Sequence, residues 1–130
     1  NMIDRDILPL VPEELRGEFS YLLGLYEEGG VRRKGEFKNR VRAGGEVALI
    51  GDPAAYNEDR WNTIDGAAVK ACDHLAAFTE AIISLALGVQ SAELRRGVVK
   101  LKAEYPRGGA IGGVDFRGVM DATERCLMGA

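Results

Sequence analysis

The sequence predicts an all-α fold of roughly five helices. Residues 65–88 form the most apolar stretch of the chain, long enough for six turns of helix. Apolar residues recur at helical spacing on both sides of that stretch. The one strand candidate, Val47–Ile50, has no partner segment in view and reads as a helical turn or loop.

Met2 to Leu10 makes a short first element, with Ile3, Ile7 and Leu8 at helical spacing. Pro9 and Pro12 bracket a turn, and Pro12 suits the first position of a helix whose positive end favours Glu13 and Glu14. Leu15, Phe19, Leu22 and Tyr26 then form a stripe, so residues 12–28 are predicted as an amphipathic helix ended by Gly29-Gly30. Together residues 2–28 make a helical pair.

Residues 31–64 read as an irregular basic and glycine-rich loop. They hold Arg32, Arg33, Lys34, Lys38, Arg40 and Arg42, then Gly44-Gly45 and Gly51-Asp52-Pro53. Such a cluster serves either as a solvated face or as a phosphate contact, for which Arg32, Arg33 and Lys38 are the candidates. Tyr56 and Trp61 read as anchors of the loop.

Residues 65–130 read as the helical core. Asp65 is placed to cap the central helix and Gly88 to close it. Ser91 caps the next helix, whose Leu94, Val98, Leu101 and Tyr105 share a face, and Pro106 stops it. Residues 107–113 are glycine-rich but lack the lysine and hydroxyl of a phosphate loop, and so read as a connection. Asp115 caps a last helix, with Val114 and Val119 at staple spacing and Val119, Ala122 and Cys126 toward the core.

The 130 residues suit one domain or a fragment of a larger one. A net charge of −3, with 28% charged and 46% hydrophobic residues, does not favour a general nucleic-acid binder. Cys72 and Cys126 have no metal-ligand spacing and are expected as buried free thiols in a reducing compartment. The apolar stretch carries Asp73, His74 and Glu80, so it reads as a core helix rather than a membrane span. With no apolar run at the start, the expected location is the cytoplasm.

Asp73 is the most informative residue. On a helical wheel it projects with Val69, Cys72, Ala76, Glu80, Ile83 and Leu87, opposite Ala71, Leu75, Phe78 and Ile82. A helix apolar on both sides is expected to be central, which would leave a costly buried carboxylate in need of a partner. The residues leave two partners open: a salt bridge with Lys70, three residues earlier, or a metal ion, with Glu80 two turns along the same face. The single histidine, His74, cannot supply a multi-histidine centre.

The string Asp65-Gly-Ala-Ala-Val-Lys-Ala-Cys-Asp-His-Leu-Ala-Ala-Phe-Thr-Glu-Ala81 resembles the late helix of HD-domain metal-dependent phosphohydrolases. Leu8-Pro-Leu-Val-Pro-Glu-Glu-Leu15 and its helix resemble the stretch before it. The resemblance implies that Asp73 is the last ligand of a divalent cation such as Mn, Mg, Co or Ni. It implies a small phosphorylated substrate, and a histidine and a His-Asp pair before Met2, because no His-Asp dipeptide occurs here. The expected protein is thus the C-terminal part of such a hydrolase, inactive as this chain alone. The alternative is a non-catalytic helical interaction or regulatory module with a structural salt bridge at Asp73. A fragment lacking half its core is also expected to self-associate as a homo-oligomer.

Overall fold

The computed structural model describes residues 2–129. The chain divides into two compact units, Asn1–Ala67 and Ala68–Ala130. It is not all-α, because the first unit carries two antiparallel hairpins among its described residues.

In the first unit, short helical turns at Ile3–Ile7 and Leu8–Leu10 lead into α1, Glu13–Leu22. Helix α1 stops six residues earlier than the periodicity predicts, since Leu23 ends the helix and Gly24 follows with φ +75°. Strands β1 (Leu25–Glu28) and β2 (Val31–Lys34) pair with Tyr26 opposite Arg33. Strands β3 (Arg40–Ala43) and β4 (Glu46–Leu49) pair with Val41 opposite Ala48. Each hairpin turns on a Gly-Gly pair in which both residues have positive φ: 59° and 73° in the first, 60° and 87° in the second. Tight two-residue hairpins need that conformation at both central positions, and glycine adopts it without a Cβ clash. Residues 31–64 are therefore not an irregular loop. The partner of Val47 and its neighbours is Arg40–Ala43, whose arginines hide its alternation.

Two features hold this unit together. Arg40 is buried, and its guanidinium donates to the carbonyls of Tyr21, Leu22, Gly35, Glu36 and Lys38 at 3.0–3.3 Å. Backbone bonds in both directions between Arg40 and Ile64 tie β3 to the segment entering the next helix. The predicted stripe of α1 does not face a core: Leu15, Phe19 and Leu22 are exposed, and Tyr21 is the buried residue.

Helix α2 spans Gly66–Ala86, α3 Ala92–Ala103 and α4 Phe116–Met128. At the start of α2, Asn39 Oδ1 accepts from Ala67 N at 3.0 Å. At its end Val89 N donates to Ser84 O and Gly88 N to Leu85 O, with Gly88 at φ +94°. Ser91 and Asp115 cap α3 and α4 as the sequence predicts, accepting from Leu94 N and Gly118 N. The second unit packs Ala71, Phe78 and Ile82 of α2 against Val98, Tyr105, Phe116 and Met120. Helix α4 is rotated from the expected face: Phe116 and Met120 are buried, while Val119 and Cys126 are exposed, as is Val114.

Candidate functional site

Helix α2 buries one face only. Ala71, Phe78 and Ile82 are 0–1% exposed, but Val69 is 53% exposed, Ile83 42% and Leu87 81%. Cys72, Asp73, Ala76 and Glu80 lie on the same open side. The expectation that α2 is central, with Asp73 in the interior, is thereby overturned. Three core-facing turns suffice to anchor the helix to α3 and α4, and the apolar residues Val69, Ile83 and Leu87 on the other side stay exposed. The desolvation argument for a compensating guest at Asp73 falls with it. Cys72 and Cys126 are likewise exposed free thiols, not buried ones.

Among the described residues the side chains of Asp73, Lys70 and Glu80 make no hydrogen bond and no ion pair. The Lys70–Asp73 salt bridge is thus not formed. Next to Asp73, His74 turns inward and its Nδ1 lies 2.9 Å from Tyr105 Oη and 3.5 Å from Glu104 Oε2. Burial pushes the Tyr105 hydroxyl up from its ordinary pKa, and the negative charges of Glu104 and Asp73 add to the shift.

Sequence reasoning missed a second charged cluster in this unit. Lys102 bridges Asp121 at 2.8 Å and Glu124, and Arg117 reaches Asp121 at 3.3 Å and the Lys102 carbonyl at 2.8 Å. The hydrogen bond from Lys102, more than any other contact, holds the Asp121 carboxyl below the usual carboxylate range. Only the i,i+4 spacing of Arg117 and Asp121 signalled it. These side chains join α3 to α4 and are mutually satisfied, which is the pattern of a structural network.

The basic residues of the first unit are dispersed onto separate partners rather than gathered. Arg32 meets Ser20 and Asp4, Arg33 meets Glu28 at 2.8 Å, and Lys38 reaches Tyr26 Oη at 3.2 Å. Arg42 pairs with Glu18 and lies 4.4 Å from the Tyr21 ring centre. A cleft of about 690 Å³ opens between α1 and the hairpins, lined by Tyr21, Tyr26, Arg32 and Arg42 together with Glu27 and Glu46. Its two cations face two carboxylates, so its charge selects no anion. Tyr56 and Trp61 stack edge to face with ring centres 5.3 Å apart.

The family model described as HD domain matches residues 1–102. The chain belongs to the HD-domain family. Asp73 falls within the matched region, as do both hairpins. No curated protein and no solved structure matches the chain. HD domains generally bind divalent metals. Among the described residues, however, no group of three or more His, Cys, Asp or Glu side chains is placed to hold one. One carboxylate and a histidine engaged by Tyr105 do not make a metal centre, so the donors present do not fit a complete site. No helix among the described residues is long and apolar enough to cross a membrane.

Proposed function

We propose that the chain is the part of an HD-type metal-dependent phosphohydrolase that contributes a single metal-ligating carboxylate, Asp73, and is inactive on phosphate esters or nucleotides by itself. The observation that carries this reading is that the Asp73 carboxylate stands exposed, without hydrogen bond or ion pair, on a helix inside the family match. An unengaged carboxylate is available as a donor for a hard divalent cation, whereas a paired one is not. A divalent cation, among Mn, Mg, Co and Ni, would need further donors beside Asp73. Glu80 and Lys70 are near enough in sequence to tune the charge around Asp73. Arg32, Arg33 and Lys38 are already paired and would attract a phosphorylated substrate only as part of the general field.

The test is an assay of the chain with p-nitrophenyl phosphate and Mn(II). The expected result is no turnover above buffer. Turnover that disappears in Asp73→Asn would show a complete site and overturn the claim of inactivity. Binding of Mn(II) with the affinity of a closed site, unchanged in Asp73→Asn, would remove Asp73 from its role.

Two further features accompany the reading. The setting is cytoplasmic, since exposed free thiols at Cys72 and Cys126 persist where thiols are kept reduced. Self-association as a homo-oligomer proceeds through α1, whose exposed Leu15, Phe19 and Leu22 share one face with Glu18 at its edge. The alternative, a non-catalytic helical interaction module, draws on the open apolar face of α2, but the salt bridge it assigned to Asp73 has no counterpart.

A further inference from the structure

The cleft between α1 and the two hairpins, about 690 Å³, is of the size that holds small molecules. Tyr21, Leu25, Tyr26 and Val47 give it an apolar lining, and four charged side chains border it. Those four are not in the same condition. Arg32 already meets Asp4 and Ser20, while Arg42 is held by Glu18 and the Tyr21 ring. Glu27 on β1 and Glu46 on β4 make no side-chain hydrogen bond and no ion pair among the described residues.

The arginines are thus neutralised by carboxylates of their own, and the uncompensated charge of the cleft is that of two glutamates, one on each hairpin. The surrounding unit adds to it, since residues 1–67 carry thirteen Asp and Glu against nine Lys and Arg. A concave site with low-dielectric walls focuses such a field on whatever enters. A bare divalent cation is not what the cleft selects, because it needs several converging oxygen donors and no three carboxylates are so grouped among the described residues. An organic molecule with an aliphatic body and a positive charge at each end meets both the lining and the two glutamates.

We propose that the cleft binds an aliphatic diamine, its ammonium groups facing Glu27 and Glu46 and its methylenes against Tyr21 and Val47. The inference lies in residues 1–67 and uses neither Asp73 nor a metal, so it is tested in buffer containing EDTA and stands or falls apart from the proposed function. The 130-residue chain is titrated with 1,5-diaminopentane and with pentylamine, which has the same body and one charge, and amide shifts are followed by NMR. The diamine should bind about fivefold more tightly and shift the amides of Ser20, Glu27 and Glu46. Glu27→Gln/Glu46→Gln, which loses no contact, should bind the two ligands alike. Gly17 borders the cleft, and a Cβ added there meets nothing within 4 Å. Gly17→Leu should therefore fill the cleft, raise the melting temperature through better helix propensity, and abolish binding of both ligands. Equal affinity of the two ligands for the unaltered chain would overturn the proposal, as would a preference that survives the double glutamine variant. Diamine binding unchanged in Gly17→Leu would reduce the effect to surface ion pairing and overturn it as well.

Discussion

Arg40 and Asp73 show how little a residue's charge says about its burial. Arg40 sits in the segment read as a solvated basic cluster, yet it is the buried cation of the first unit. Its burial is stabilised by carbonyl oxygens rather than by a carboxylate, and desolvation draws its pKa down from the ordinary arginine value. Arg40→Met should leave several of those carbonyls unpaired and destabilise the first unit by about 3 kcal/mol, read from urea unfolding. A cost below about 0.5 kcal/mol would mean that water replaces the guanidinium. Asp73 is the converse case, a carboxylate in an apolar run that is exposed. Asp73→Asn should change stability by less than about 0.5 kcal/mol, since no contact is lost. Periodicity identified the shared face of Asp73, Glu80 and Ile83 correctly, but it carries no information on whether a neighbour covers that face.

At the scale of elements, the helices of the second unit were legible and the hairpins were not. Ser91, Asp115 and Gly88 act through local backbone chemistry, so their positions could be read directly from the chain. The hairpins depend on pairing between segments, and the charged residues of β2 and β3 masked their alternation. Gly29-Gly30 and Gly44-Gly45 were the available signal, since a Gly-Gly pair flanked by short segments marks a two-residue turn. Gly44→Asn should be tolerated or slightly stabilising, because asparagine accepts the left-handed conformation and restricts the unfolded chain. Gly66 is the opposite case: a Cβ there would lie 2.4 Å from the Phe37 carbonyl carbon and 2.6 Å from the Lys38 oxygen. Gly66→Ala should therefore cost ~2 kcal/mol or more by thermal melting, because backbone rather than a movable side chain is in the way.

The Lys102–Asp121 link between α3 and α4 gives the pH dependence. Asp121 titrates below its unfolded value in the folded chain, so its stabilisation is present above the ordinary carboxylate pKa and is lost as the pH falls through the lowered one. Lys102 titrates above its ordinary value, so its share persists through neutral pH and is lost only as the pH rises through the raised one. Melting temperature should be flat near neutrality and fall on acidification below about pH 4. Asp121→Asn should lower the neutral-pH melt and flatten that acid limb. An unchanged limb would place the acid sensitivity elsewhere.

For the whole molecule, the family resemblance read from residues 65–81 and 8–15 is shown by the match over residues 1–102. Asp73 is not the buried charge awaiting a partner that the apolar helix predicts, because it is exposed. Apolar residues of α1 and α2 stand open instead, and two unpaired carboxylates, Asp73 and Glu80, lie among those of α2. Phe19→Glu should convert any oligomer seen by sedimentation into monomer, whereas persistence of the oligomer would remove α1 from the interface. The most direct test of the central claim is titration of the 130-residue chain with Mn(II), followed by paramagnetic broadening of amide resonances in the unaltered chain and in Asp73→Asn. The account predicts weak binding whose broadening includes the amides of Cys72, Asp73 and His74 and disappears there in the variant; broadening that bypasses those amides, or is identical in both proteins, would contradict it.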